Sequence, residues 1–167
     1  MSVHDGSYGW CSSPTVLRAS LAAAISVVSL MYLAPAFAKC SDAPGPGVDW
    51  SGCSKQLLML KGTDMSHANF LRTFLSGTVL NSVNLQGANF TSSELPRTSF
   101  KGADLSGASF EKALASRADF SNANLTKANL VKAEFHRVSF LGATLANADM
   151  SDGDFHRCDF TGANLSG

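Results

Sequence analysis

A bulky apolar residue returns at every fifth position from Leu60 to Leu165. The series opens Leu60, Met65, Phe70, Leu75, Leu80, Leu85 and closes Met150, Phe155, Phe160, Leu165, with Ala115 as its single small member. Two residues before most centres stands an alanine, as at Ala68, Ala88, Ala103 and Ala163; Thr, Val, Gly153 or Cys158 fill most of the other places. An amphipathic helix needs apolar spacings of three and four, and a half-buried strand needs strict alternation. A period of five satisfies neither. It fits a chain that turns a corner every five residues and closes a roughly square coil in twenty. The centre and the small residue before it then face inward, and the other three positions face solvent. A fixed internal period decides the architecture before any single residue does.

The runs "GANFT", "GADLS", "NANLT", "KANLV" and "GANLS" share one motif: Ala, then Asp or Asn, then Leu or Phe, then two variable residues. This motif resembles that of the pentapeptide-repeat proteins, and the resemblance covers residues 58–167. It implies an all-β fold, a right-handed quadrilateral parallel β-helix. With coils stacked at the strand spacing, this stretch makes about 5.5 coils and a rod about 26 Å long. Such an array draws its stability from neighbour-on-neighbour stacking. The missing centre at Ala115 predicts a local shift that draws Leu114 inward. The Asn and Asp residues before the centres, such as Asn84, Asp104, Asn124 and Asn164, read as structural, because their side chains satisfy turn backbone.

Residues 1–38 stand apart from the repeats. Leu21 to Leu33 is a 13-residue apolar run preceded by Arg18 and followed by Pro35 and Ala36-Phe37-Ala38. That order matches a secretory signal, with cleavage predicted after Ala38. The run is short of the roughly 20 apolar residues that a membrane-spanning helix needs. The mature chain is therefore expected to be periplasmic or extracellular, with no membrane span. Residues 1–15 are long for the start of such a signal, which suggests a translation start nearer Val16. Cys40 is not a lipidation site, since Lys39 stands where a small residue is required.

Residues 39–57 read as a cap segment. Pro44 to Gly47 predicts irregular backbone, yet Trp50 falls in register with the pentads and is expected to plug the first coil. Lys55 interrupts the next centre. Cys40 and Cys53 bracket this segment in a chain bound for an oxidising compartment. A disulfide between them closes a loop of about 14 residues, worth about 3 kcal/mol in the chain-entropy account. Cys158 holds an inward small position and reads as a small buried hydrophobe. At the other end the chain stops on a full pentad with no polar cap. Two such ends are expected either to meet as a homodimer or to fray.

Charge enters through the twenty-residue coil, because residues twenty apart stack. Arg97, Arg117, Arg137 and Arg157 form one column, with His136 and His156 beside it. Arg72, Lys112 and Lys132 form a second basic column one corner earlier. Guanidinium groups about 5 Å apart repel one another unless anions lie among them, and arginine suits planar carboxylate, phosphate or sulfate groups. These nine residues are the candidate partner-binding strip. Glu94, Glu134 and Asp154 stack between the two basic columns and offer the opposite reading, a self-neutralising charge zipper on a solvated face.

These features set the function classes. The histidines, His67 included, lie on outward positions of a convex rod, whereas substrate pockets are concave. No nucleophile-and-base grouping emerges, so neither an enzyme nor a cofactor or metal site is expected. The leading reading is a secreted or periplasmic scaffold that presents a solenoid face to a protein or a polyanionic envelope partner. One alternative, implied by the resemblance, is a cytoplasmic DNA-mimic modulator of a type II topoisomerase. Such a mimic needs a strongly acidic surface. Removing Asp5 and Arg18 with residues 1–38 leaves the 13 acidic and 13 basic residues at 12 of each, and nucleic acid itself is not favoured as a partner. The other alternative is a purely structural end-to-end rod.

Overall fold

The computed structural model describes residues 39–167; the expected signal, Cys11 and the cleavage point lie outside the described residues. The chain from Asp49 onward winds as a parallel solenoid in which each residue pairs with the one twenty positions on. Bridges run from Asp49↔Asn69 to Thr144↔Asn164 without a change of register. Each bridge follows one rule. Asn69, for example, donates its amide to Val48 O at 2.8 Å and accepts from Trp50 N at 2.8 Å, bracketing Asp49. The winding therefore reaches back into the cap segment.

Between bridges the backbone turns. The carbonyl of a centre accepts from the amide three residues on, as in Phe110 O from Ala113 N at 2.9 Å. The third residue of each turn has positive φ, as at Arg72, Ser82 and Lys112. Positive φ at that place alone makes these type II turns. Four such corners per twenty residues produce the square coil that period five predicts. The residue before the centre secures the corner: Asn69 Oδ1 accepts from Leu71 N at 3.1 Å and Asp104 Oδ1 from Ser106 N at 3.1 Å. The amides also chain from coil to coil, Asn69 Nδ2 donating to Asp49 Oδ1 and Asn89 Nδ2 to Asn69 Oδ1. These side chains are structural, as their position implied.

The core is the axis of the solenoid. The centres from Leu60 to Leu145 are buried, as are the small inward residues from Ala68 to Ala143. Phenylalanines stack down the axis almost parallel, Phe70 on Phe90 at 4.6 Å and Phe90 on Phe110 at 4.8 Å between ring centres. Trp50 meets Phe70 edge-on at 5.8 Å and closes the column. Burying rings in this way provides both apolar area and favourable ring geometry. At the last coil the shielding thins: Phe155 and Phe160 are half-buried and Leu165 is 53% exposed.

Ala115 corrects one expectation. Leu114 does not swing inward; it is 42% exposed, and Ala115 itself stays buried. The space is taken by neighbouring rings, since Phe135 in the next coil lies 6.1 Å from Phe110 and 5.6 Å from Phe120. At this point the bridges widen into true strands, β1 (Leu114–Ser116) and β2 (Glu134–His136), paired in parallel.

Candidate functional site

Strands β1 and β2 lead directly into the arginine corner. Its backbone is fixed by amide bonds between coils: Arg97 N to Ser116 O at 2.8 Å, Arg117 N to His136 O at 2.9 Å, and Arg137 N to His156 O at 2.9 Å. All four arginines have φ of 57–58°, a left-handed conformation that costs a side-chain-bearing residue about 1–2 kcal/mol. After Ala115 and Phe135 the usual turn hydrogen bond is absent, while the adjacent Leu95 and Phe155 turns show it at a long 3.3 Å. The other three corners keep that bond in every coil described. Along part of the arginine corner a side chain replaces the missing turn bond, Thr78 Oγ1 donating to Lys55 O at 2.5 Å and Cys158 Sγ to Phe135 O at 3.0 Å, while Thr98 Oγ1 donates to Leu75 O at 2.8 Å beside a turn bond that is kept. Cys158 thus takes the place of a threonine, and burial pushes its thiol above the ordinary range.

The four exposed arginines, with His136 and His156, line one open groove of about 530 Å³. Ser76, Pro96 and Ser116 complete its wall. The histidine ring centres lie 6.4 Å apart. The second basic column is not brought into the groove. Arg72, Lys112 and Lys132 stand exposed one corner away, and Lys112 Nζ pairs with Glu111 at 2.9 Å.

The arginines make no pair with the acidic column among the described residues, and the strip meets that column through His136 and Asp154. Among the described residues, the guanidiniums of Arg97, Arg117, Arg137 and Arg157 make no ion pair or hydrogen bond. The carboxylates on the neighbouring face are occupied otherwise or stand apart. Asp154 accepts from its own turn amide, His156 N, at 3.1 Å and meets His136 Nε2 at 3.0 Å. The His136 hydrogen bond is the main reason that the Asp154 carboxyl lies below its ordinary pKa. This pair joins residues eighteen apart, an offset also used by Gln86 with Asp104 and Ser121 with Ser139. A search for stacking at twenty alone misses it. Ser76, Pro96 and Ser116 were legible as members of the His136 column, but nothing in the sequence marked them as a wall.

At the opposite end Cys40 and Cys53 form a disulfide, their Cα atoms 5.6 Å apart. Trp50 is buried beneath the cap and donates from its indole to Asp42 O at 3.1 Å. Lys55, at an inward place, donates to Cys40 O at 2.6 Å and lies 3.8 Å from the centre of the Trp50 ring. Desolvation lowers the Lys55 pKa, partly opposed by the charge of Asp42. The cap is thus a single cluster joining disulfide, indole and amine.

Known proteins share this architecture. Residues 60–95 match the family description of pentapeptide repeats, and residues 93–167 that of a pentapeptide repeat region. Among solved structures, HetL of the cyanobacterium Nostoc, a pentapeptide repeat protein involved in heterocyst differentiation regulation, is 24% identical with a TM-score of 0.62. That match covers 72% of this chain and 59% of HetL, so the chain spans well under two thirds of its relative's length. The plasmid-mediated fluoroquinolone resistance protein QnrB1 is 19% identical at a TM-score of 0.49, with 72% of this chain and 73% of QnrB1 covered. A pentapeptide repeat protein from the Arabidopsis thaliana thylakoid lumen is 28% identical at 0.27, with 70% of each chain covered. No curated protein sequence matches. Together with the unbroken register of twenty, the two contiguous family matches show that this chain belongs to the pentapeptide-repeat family.

Proposed function

We propose that this protein is a non-enzymatic binding protein, secreted or periplasmic, that presents the arginine corner of its solenoid to an anionic partner. One observation carries the reading: four unpaired guanidiniums, one coil apart, line a single open groove. Stacked like charges of this kind are unfavourable alone and favourable with an anion between them. The location is supported by the apolar run Leu21–Leu33 with its Ala36-Phe37-Ala38 ending, and by the Cys40–Cys53 disulfide, a bond suited to oxidising compartments. A groove open to water along its length binds without enclosing a reacting group, which supports a scaffold in preference to an enzyme. Its positive lining is opposite in sign to the face of a DNA mimic.

The test compares the protein with its Arg117→Glu/Arg137→Glu variant after circular dichroism has established equal folding. Envelope and cytosolic fractions of the source organism are passed over each at physiological salt. The expected outcome is an envelope component retained by the parent and lost from the variant. Equal retention by both moves the interface away from the arginines, to the half-buried apolar coil around Phe155 and Phe160. An arginine-dependent partner found only in cytosol overturns the proposed location.

A further inference from the structure

The arginine corner is narrow, and its width restricts what fits. The corner consists of two adjacent residue columns, the arginines and the Pro96–Ser116–His136–His156 column beside them. On one side lies the exposed face position that carries Glu94, Glu134 and Asp154; on the other lies the position that carries Asp119 and Asp159. A positive line about 15 Å long, four arginines at the strand spacing, thus has carboxylates at three of the four places on one side, Leu114 taking the fourth, and at two of four on the other, where they alternate with Ser99 and Ser139. A broad anionic surface, such as an acidic protein face or a nucleic-acid duplex, sets its outer charges against those carboxylates before it reaches the second basic column at Arg72, Lys112 and Lys132. At physiological salt the repulsion acts over about 8 Å, which reaches both flanks. A slender chain lying parallel to the solenoid axis avoids them and meets only the guanidiniums.

The lining narrows the chemistry further. No Phe, Tyr or Trp borders the groove, whereas single-stranded nucleic acid is bound on aromatic platforms. The backbones of Arg97, Arg117 and Arg137 are each pinned by a bond to the next coil, and Arg157 shares their left-handed φ, so the four side chains spring from a regular grid. Guanidinium forks on such a grid suit a repeating tetrahedral oxyanion.

Resting on the docking reading above, we infer that the groove binds one slender linear polyphosphate chain whose phosphate groups run parallel to the solenoid axis. Ligand charge is read along the axis by Arg97, Arg117, Arg137 and Arg157, and ligand width is limited by the acidic flanks.

The experiment is a fluorescence-anisotropy titration of the full chain with labelled inorganic polyphosphate and, separately, labelled heparin. Inorganic monophosphate and a short DNA duplex are the competitors. Arg117→Gln/Arg137→Gln keeps a polar side chain and removes two charges from the groove; Lys112→Gln/Lys132→Gln removes two from the column outside it. The groove variant is expected to bind the polymer roughly tenfold more weakly at physiological salt and to flatten the salt dependence by about 0.7 per arginine lost. The lysine variant is expected to shift far less, and neither competitor is expected to displace the polymer at equal charge concentration. Arginine-dependent binding that prefers heparin to polyphosphate overturns the assignment to a phosphate chain. Equal weakening in both variants overturns the inference, because binding is then only to diffuse basic charge. Tight arginine-dependent binding of the duplex with none of either polymer also overturns it, but leaves the docking reading standing. If neither polymer nor duplex binds, and the fraction experiment shows no arginine-dependent partner, both fall.

Discussion

At each corner a residue with positive φ joins a face to the next, and where an Asn or Asp stands before the centre, as at Asn69 and Asp104, it holds that corner by accepting from a turn amide. Where the acceptor is a carboxylate, folding and protonation are coupled. The Asp149 and Asp159 carboxyls are held below the ordinary range by hydrogen bonds from Ser151 and Thr161, and Asp154 by His136. For Asp104 desolvation acts the other way, and the bonds from Gln86, Ser106 and Asn124 together overcome it. A folded pKa below the unfolded value means stability that is complete above about pH 4 and is lost as pH falls through the lower folded value. Three of these groups belong to the last coil. The Asp149→Asn/Asp154→Asn/Asp159→Asn variant keeps each turn acceptor and removes the titration. Its urea midpoint is expected to fall less than the parent's between pH 5 and pH 3; parallel curves for the two proteins would count against this coupling.

At the scale of elements, the cap segment is the part that departs from the repeat. The short 3-10 turn Lys39–Ser41 carries Cys40, and the disulfide ties it to Cys53 over the edge of Trp50. Lys55 is kept at an inward place because its amine has a carbonyl and an aromatic face as partners, which offset the cost of burying its charge. Cys40→Ser/Cys53→Ser is expected to lower the unfolding free energy by about 3 kcal/mol. In a Trp10→Phe background, where Trp50 is the sole tryptophan, its emission is expected to shift to the red as water reaches the indole. An unchanged spectrum together with an unchanged midpoint would show that the cap holds without the bond.

For the solenoid as a whole, each coil touches only its neighbours, so stability is a sum of local interfaces and not the property of one central core. Buried centres run without a break from Leu60 to Leu145, while Phe155, Phe160 and Leu165 are progressively less shielded. Local opening draws on segments with few buried contacts. Amide exchange is therefore expected to be slowest in the middle coils and fastest after about residue 146, read by hydrogen–deuterium exchange on the intact chain. Uniform protection along the chain would contradict such a one-dimensional array.

The sequence by itself determined the winding. An apolar residue every fifth place is incompatible with helix and strand periods, so the coil of twenty, its inward positions and the stacking of the four arginines all follow from counting. The Asx side chains and the Cys40–Cys53 pairing were legible for the same reason: each depends on local spacing. Three matters were decided only by the tertiary structure. Leu114 stays outside because Phe110, Phe120 and Phe135, from two successive coils, share the space beside Ala115. Asp154 turns to His136 and not to an arginine because the reach between coils favours the offset of eighteen. The groove takes in one basic column and not the other, and its corner is the one that lacks the turn hydrogen bonds after Ala115 and Phe135. Period fixes which residues share a column; side-chain length, ring volume and the shape of one corner fix what each column meets.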